Sequence, residues 1–309
     1  MNAFEQAGHL PHWKTSRKAS GSNSFYENGW VSRCGQTLMR QLASLVSLCV
    51  LSATALPAVA QTAFYYGSPV PESNLARFKR VVVEADSLGS PATLQENGAE
   101  VFAYVSVGEA EGWRLSARML PQTLFNGENR EWESRIADLT QTRWHDYLLE
   151  ERMAPLWAAG YQGFFLDTLD SYLRANTTPK AIARQADALI VLIQKMHSRF
   201  PGAKFLLNRG FEMLPAVAPM VNGVVAESLF QRWDQATKKY VLVPETDRLW
   251  LLAKLREARD MYGLPVTVID YVSPDNLTLA HETIQRIRAL GFEAWVANPG
   301  LDTVSEAVF

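Results

Sequence analysis

Cysteine and histidine are scarce in this sequence, which limits the chemistry that the chain can perform. Only two of the 309 residues are cysteines, Cys34 and Cys49, and both fall within the first 60 residues. Of five histidines, only His145, His197 and His281 lie beyond residue 60, all in stretches with a helical pattern. The chain therefore offers no disulfide framework, thiol nucleophile or thiolate metal site there, and we expect neither a metal nor a cofactor.

Two other catalytic signatures are also missing from the sequence. It contains no glycine-rich phosphate loop and no Gly-x-Ser-x-Gly elbow. Ser106 and Ser228 lie at the ends of predicted strands, but the sequence offers no histidine at the same strand ends to activate them. Carboxylate chemistry is what remains, and the chain has 32 Asp and Glu residues to supply it.

Long apolar runs are missing too, except in one stretch near the N-terminus. From Met39 the chain has a basic start at Arg40, an apolar centre over 42–56 and the small residues Ala58-Val59-Ala60. This pattern predicts a secretory signal peptide at 39–60, cleaved after Ala60, with Met39 as an alternative start codon. A membrane anchor is the alternative, but the apolar centre is short and rich in Ser and Thr. We expect an exported protein, periplasmic or extracellular, with no membrane span after cleavage.

Strong positive charge is absent as well. Removing residues 1–60 takes away five Lys and Arg and two Asp and Glu, so the formal net charge changes from −2 to −5. A mildly acidic protein is a poor candidate for nucleic acid or anionic lipid, and it suits a neutral or cationic substrate better. The remaining 249 residues match the length of about 250 that is typical of one (β/α)8 barrel.

Eight short apolar runs predict the strands of a parallel sheet. Most are continuous rather than alternating, as strands buried on both faces should be. Helical patterns occur at 142–159, 179–199, 247–262 and 276–290, with Pro155 expected to break the first. Strands alternating with helices over one domain, 61–309, favour a closed (β/α)8 barrel over an open doubly wound sheet. The predicted strands are 63–67, 80–85, 101–107, 163–170, 204–210, 223–228, 265–271 and 293–299.

Carboxylates and aromatic residues follow these strands at the points where they end. In a barrel those points share one rim, where the site lies. Asp167 closes an apolar run and would be costly to bury without a partner or a function. Asp170, one turn further on, is better explained as a cap of the next helix or as the partner of a nearby Arg. Flat aromatic faces beside carboxylates suit sugar rings, and a glycosidase needs two carboxyl groups.

Several of these segments resemble glycoside hydrolase family 114, the endo-α-1,4-polygalactosaminidases. The matching pieces are Phe64-Tyr65-Tyr66-Gly67, Ala103-Tyr104-Val105-Ser106-Val107-Gly108-Glu109, 163–170, Asn208-Arg209-Gly210, Val225-Ala226-Glu227-Ser228 and Asp270-Tyr271, within a resemblance that spans 62–305. The resemblance implies a (β/α)8 barrel, a galactosamine polymer as substrate, and the catalytic pair Asp167 and Glu227.

We assign Asp167 as the nucleophile and Glu227 as the acid/base, which predicts retention if their carboxyl groups lie about 5–5.5 Å apart. The partner would be a cationic amino-sugar polymer, and we expect a monomer. A non-catalytic carbohydrate-binding barrel and a glycosidase of different sugar specificity are the alternatives. The residues predicted to bind substrate are Tyr66, Glu84, Tyr104, Ser106, Glu109, Asp170, Asn208, Arg209, Asp270, Tyr271 and Trp295.

Overall fold

The computed structural model describes residues 62–309, so the predicted signal peptide lies outside the described residues. Eight strands form one sheet, and each pairs in parallel with the next along the chain. All eight strands predicted from the sequence are thus confirmed, in sequential order. They are β1 Thr62–Tyr65, β2 Arg80–Val83, β3 Glu100–Ser106, β4 Gly163–Asp167, β5 Lys204–Asn208, β6 Gly223–Glu227, β7 Val266–Tyr271 and β8 Glu293–Ala297.

A polar network at the N-terminal end of the sheet brings β8 back to β1. The Glu293 carboxylate of β8 accepts hydrogen bonds from Thr62 Oγ1 of β1 at 2.9 Å, Thr267 Oγ1 of β7 at 3.0 Å and Arg80 Nη2 of β2 at 2.8 Å. Beyond the other end of the strands, the Tyr66 N–H donates to the Leu301 carbonyl at 2.7 Å. The sheet is therefore a (β/α)8 barrel, as predicted.

The side chains of β4 alternate between the two faces of the sheet, as the period of a strand requires. Phe164 packs against Phe200, at the end of a covering helix, with ring centroids 5.5 Å apart. Phe165 packs against Phe64 of β1 at 5.4 Å, across the barrel interior because β1 and β4 are not neighbours. Asp167 shares the face of Phe165 and therefore emerges at the mouth of the barrel.

Three long helices cover the sheet after β4, β6 and β7. Thr178 and Asn276 cap the first and third through their side chains, and Gly263 and Gly291 follow the second and third with φ of 66° and 81°. The long helices are Pro179–Arg199, Glu245–Asp260 and Leu277–Ala289. The other α-helices are Glu72–Leu75, Ala92–Glu96, Leu115–Arg118, Thr142–Asp146, Ala154–Ala158, Tyr172–Ala175 and Leu214–Val217, with 3-10 turns at Gln122–Leu124, Phe211–Met213, Ala218–Met220 and Glu306–Val308.

Pro155 interrupts the helix predicted over 142–159, but without ending it. The α-helix Thr142–Asp146 passes into a π-helix over Tyr147–Met153, and Ala154–Ala158 is α-helical again. A proline lacks the N–H of the helical ladder, and its ring collides with the preceding turn of an α-helix. The wider π turn relieves this collision, so the break takes the form of a π segment.

The connection between β3 and β4 carries a small antiparallel sheet that was not among the predicted strands. Its middle strand, Ser134–Ala137, pairs with Glu109–Glu111 on one side and with Phe125–Asn129 on the other. A hairpin of Gln231–Asp234 and Lys239–Leu242 similarly follows β6. These strands are short and mostly polar, so no apolar pattern marks them. No helix within residues 62–309 is long and apolar enough to cross a membrane.

Candidate active site

Three neighbouring strands end in the side chains that form the centre of the site. Asp167 ends β4, Asn208 ends β5 and Glu227 ends β6. The Asn208 Nδ2 donates one hydrogen bond to Asp167 Oδ1 at 2.7 Å and another to Glu227 Oε1 at 2.8 Å. Since one nitrogen touches both oxygens, those two oxygens are at most 5.5 Å apart. The structure thus brings the predicted pair together over a gap that fits one glycosidic linkage.

A tyrosine hydroxyl completes the support of each carboxylate. Tyr104 of β3 donates to Asp167 Oδ2 at 2.9 Å, and Tyr271 of β7 donates a short hydrogen bond to Glu227 Oε2. Each carboxylate therefore receives a phenol O–H, and the two share the Asn208 amide as a donor. Neutral donors fix the orientation of the two acids, and they stabilise the ionised form less than a neighbouring cation would.

Burial and a like charge together perturb the ionisation of the pair. Burial, followed by the negative charge of Glu227, raises the pKa of Asp167 to about 7, although the hydrogen bonds from Thr168, Asn208 and Tyr104 act in the opposite direction. Two adjacent carboxylates in a partly desolvated site cannot both ionise easily. Around neutral pH the pair therefore holds one proton, so one carboxyl group can be ionised while the other is protonated.

The backbone turns sharply just after each of these three side chains. Thr168, Arg209 and Ser228 have φ of 60°, 60° and 69°, in the left-handed region that residues with a Cβ rarely adopt. Such residues cost on the order of 1–3 kcal/mol each and cluster at functional sites. Hydrogen bonds to Thr168 Oγ1 from the Gly108 N–H at 2.9 Å and with Ser106 Oγ at 3.0 Å hold the first of these turns. The backbone thus turns away from the barrel directly after each strand, and the side chains of Asp167, Asn208 and Glu227 remain accessible from the mouth.

Two further predicted residues adjoin the pair. The Tyr66 ring lies 5.1 Å from the Tyr104 ring, and burial with the charges of Asp167 and Glu227 raises its pKa well above the ordinary value, so its hydroxyl stays protonated. Arg209 Nη2 donates to the backbone carbonyl of Glu227 at 3.2 Å. Both residues therefore lie beside the pair, and their role in substrate binding stays a prediction.

Asp270, predicted to bind substrate, faces the other way. It is fully buried, and its carboxylate accepts hydrogen bonds from the backbone N–H groups of Leu229, Phe230 and Gln231 at 2.6, 2.8 and 2.9 Å. Strand alternation explains the placement, because Tyr271 points into the mouth and its neighbour must point to the opposite face. Burial raises the pKa of Asp270 to about 6. Asp270 therefore stabilises the loop after β6 and is not placed to bind a sugar.

Trp295 does not reach the mouth either. The residue is fully buried, and its indole packs edge-on against Phe78 with ring centroids 5.4 Å apart. It belongs to the core and has no surface to offer a sugar. The Asp170 side chain, in contrast, is exposed in the turn after β4.

Glu109 and Ser106, which were predicted to bind substrate, instead stabilise the small antiparallel sheet between β3 and β4. The buried Glu109 carboxylate accepts from Asn129 Nδ2 at 3.0 Å, from Ser171 Oγ at 2.6 Å and, through a short bond, from Ser134 Oγ. Ser106 Oγ donates to the Glu109 carbonyl at 3.0 Å. These bonds connect β3 and the turn after β4 to the small sheet. Both residues therefore affect the shape of the mouth by holding this sheet in position.

Glu84 pairs with an arginine that the sequence did not single out. Arg114, only 6% exposed, donates to both Glu84 oxygens at 3.2 and 2.5 Å, to Asp86 Oδ2 at 2.9 Å, and through a short bond to Glu111. Arg114 lies in the connection between β3 and β4, and the excess of carboxylates at the strand ends was the signal that could have pointed to it. No group of three or more His, Cys, Asp or Glu side chains in the described part of the chain is arranged to hold a metal ion.

Known proteins resemble this chain in sequence and in structure. The profile of glycoside-hydrolase family GH114 matches residues 51–308. The glycoside hydrolase domain of PelA from Pseudomonas aeruginosa is 36% identical, with 80% of this chain and 98% of that domain covered and a TM-score of 0.73. Ega3 from Aspergillus fumigatus, solved in complex with galactosamine, has a similar fold at 16% identity, with 80% and 95% covered and a TM-score of 0.58. An uncharacterized protein of Deinococcus radiodurans is 25% identical over 246 residues, 73% of this chain and 74% of that protein.

Proposed function

The chain belongs to glycoside hydrolase family GH114, and on that basis we propose that it is an endo-acting hydrolase of α-1,4-linked galactosamine and N-acetylgalactosamine polymers that retains anomeric configuration. One observation carries the proposal: the Asp167 and Glu227 oxygens bridged by Asn208 are at most 5.5 Å apart. Retaining glycosidases place their carboxyl groups about 5–5.5 Å apart, whereas inverting enzymes need about 6.5–9.5 Å to admit a water. The non-catalytic alternative does not account for such a pair.

The two carboxyl groups would act in two steps. Asp167 attacks the anomeric carbon while Glu227 gives its proton to the leaving oxygen, so the glycosidic bond breaks as the Asp167 ester forms. Glu227 then takes a proton from water, and the resulting nucleophile attacks the same carbon and releases Asp167. Tyr104 and Asn208 orient the attacking oxygens of Asp167, and Tyr271 orients Glu227.

Charge and resemblance both support an amino-sugar polymer as substrate. After removal of residues 1–60 the formal net charge is −5, and around Arg114 three carboxylates face one guanidinium. A surface with excess negative charge attracts a chain of ammonium groups. The PelA domain is a solved relative at 36% identity, and Ega3 was solved with galactosamine bound. We propose a biofilm exopolysaccharide of this composition as the substrate.

Digestion of defined polymers tests the specificity and the stereochemistry. The purified protein is incubated with galactosamine polymers of high and low acetylation, and with a neutral glycan as control. Mass spectrometry of the products should show internal cleavage of the amino-sugar polymers alone, and NMR at early times should show α-anomeric products. Cleavage of the neutral glycan instead would support the alternative specificity, and a β-anomeric first product would rule out retention.

Substitution of the pair tests the assigned roles. Asp167→Asn and Glu227→Gln should each lower kcat by about a thousandfold or more with unchanged circular dichroism, whereas Asp187→Asn on the exposed face of a covering helix should be fully active. Azide added to Glu227→Ala should give an α-glycosyl azide, since it attacks the covalent intermediate. Azide added to Asp167→Ala should give a β-glycosyl azide, since it replaces the nucleophile. Exchanged outcomes would exchange the roles, and full activity of either variant would refute the assignment.

We further propose that the protein is exported and monomeric. The first barrel strand begins at Thr62, directly after the position expected for the mature N-terminus, Gln61. N-terminal sequencing of protein recovered from the periplasm or medium should begin at Gln61. Recovery in the membrane fraction with residues 39–60 retained would favour the anchor instead, and light scattering would measure the mass in solution.

A further inference from the structure

Trp113 is an exposed aromatic residue in the insertion between β3 and β4. Its side chain is 54% exposed, in the turn that follows the short strand Glu109–Glu111. The guanidinium carbon of Arg114 lies 4.0 Å from the centroid of the indole ring. One face of the indole is therefore covered by a cation, and much of the remaining surface is open to solvent.

Arg114 is itself fixed, so it can fix the indole in turn. It is 6% exposed and donates hydrogen bonds to Glu84, Asp86 and Glu111. A guanidinium held by three carboxylates on two different connections of the barrel has little freedom to rotate. The position of the indole is thus set before any ligand arrives, which lowers the entropy cost of binding to it.

A series of contacts connects Trp113 with the catalytic pair. Tyr104 donates to Asp167, and its ring packs against Tyr66. The Glu84 N–H donates to the Tyr65 carbonyl at 3.4 Å and Ser87 Oγ donates to the Tyr66 carbonyl at 3.4 Å, so the segment that carries Glu84 and Asp86 lies beside Tyr66. Trp113 lies against the Arg114 guanidinium, in the connection that follows the C-terminal end of β3.

We propose that Trp113 is a stacking platform for a sugar unit of the polymer outside the catalytic gap, and that Arg114 is the positioning residue that holds it. This inference rests on the proposed function. The C–H face of a galacto-configured ring packs on an exposed indole, as apolar faces of sugars do on aromatic rings. The Asp86 side chain, 54% exposed beside Arg114, would accept the ammonium group of the same or the next sugar.

Trp113 could instead serve only to shield Arg114 from water. Without substrate, a shield and a stacking platform would have the same geometry. The two roles differ in what they do to ligands of different length. A disaccharide occupies only the catalytic gap, whereas a long oligomer extends over Trp113. A stacking platform therefore affects the affinity for the long oligomer alone, and a shield affects stability alone.

Binding measured without turnover separates these cases. In a Glu227→Gln background, calorimetry compares a galactosamine disaccharide with a long galactosamine oligomer. Trp113→Ala should lower the affinity for the oligomer by about fivefold to tenfold and leave the affinity for the disaccharide unchanged. Trp113→Phe should restore most of the lost affinity. Trp250→Ala, on the outer helix Glu245–Asp260 and 43% exposed, is the matched control and should bind both normally.

Each result decides one of the two proposals. Equal affinities of the Trp113→Ala and parent proteins for the oligomer, or equal losses for both ligands, would overturn the platform. Trp113-dependent binding by a wild-type protein that cleaves no amino-sugar polymer would overturn the proposed function and keep the platform. Absence of binding by the parent to either ligand would overturn both.

Discussion

Asn208 is the side chain that sets the separation of the two acids. Its single amide nitrogen donates to Asp167 and to Glu227, while its Oδ1 is buried with no hydrogen-bond partner among the described residues. The opposite amide orientation would direct a carbonyl oxygen at two carboxylates, which is repulsive. The hydrogen bond from Asn208 favours the ionised form of Asp167, so Asn208 acts on both the geometry of the pair and the protonation of Asp167.

Replacement of Asn208 should therefore shift the pH profile as well as the rate. Asn208→Ala removes a hydrogen bond that lowers the pKa of Asp167, so the acidic limb of kcat/KM should move to higher pH. The loss of one oriented donor should lower kcat by about a hundredfold. A pH series of kcat/KM measures both effects. A lower rate with an unmoved acidic limb would mean that Asn208 only supports the fold.

Strand ends were predictable from the sequence, but the face of each side chain at the rim was not. Asp270 and Tyr271 were both expected in the mouth, although alternation allows only one of them to face it, and the apolar run of β7 does not say which. Arg114 was missed because its partners, Glu84 and Asp86, follow a different strand from its own. Contacts between separate loops depend on the closed barrel, and no local pattern encodes them.

The strand β4 owes its position to a residue that has no side chain. A Cβ built on Gly163 would lie 2.4 Å from the Phe102 ring and 2.7 Å from the Lys204 carbonyl oxygen, closer than real Cβ contacts come. Phe102 is fully buried on β3, and Lys204 begins β5, so both neighbouring strands would have to shift. Asp167 is four residues further along the same strand.

Gly163→Ala should accordingly destabilise the protein by about 2–3 kcal/mol, the usual cost of forcing extra volume into a packed core. Urea unfolding followed by circular dichroism measures the loss. Gly89→Ala is the control, because no atom lies within 4 Å of its added Cβ, and its free energy of unfolding should stay within about 0.5 kcal/mol of wild type. Equal midpoints for the two variants would contradict the packing argument.

The helices and strands of this fold differed in how clearly the sequence pattern predicted them. The barrel strands and the long helices carry continuous or helical apolar patterns, and each was predicted within a few residues. The insertion strands Phe125–Asn129 and Ser134–Ala137 are held by Glu109 through polar side chains, so their sequence looks like a loop. Packing against a buried carboxylate, and not an apolar face, determines that small sheet.

At the scale of the whole molecule, buried carboxyl groups make stability depend on pH. Asp167 has a pKa of about 7 and Asp270 of about 6, against an ordinary value of 3.8. Both values are raised, so the folded protein binds these protons more tightly than the unfolded chain does. The stabilising contribution of each group is full below about pH 4 and is lost as the pH rises through its folded pKa. Asp167 is thus held in the catalytic pair at a cost in stability near neutral pH.

Asp167→Asn should remove the Asp167 part of this dependence. A rise of about three pKa units corresponds to about 4 kcal/mol at most, and solvent at the half-buried carboxylate lowers our expectation to about 2 kcal/mol. The Tyr104 hydroxyl can turn to accept from the new amide, so little is lost in exchange. Urea unfolding should therefore find the variant about 2 kcal/mol more stable than wild type above pH 7 and no more stable below pH 4. An equal difference at both pH values would show that the carboxylate carries no such ionisation cost, and with it the shared proton of the catalytic pair would be refuted.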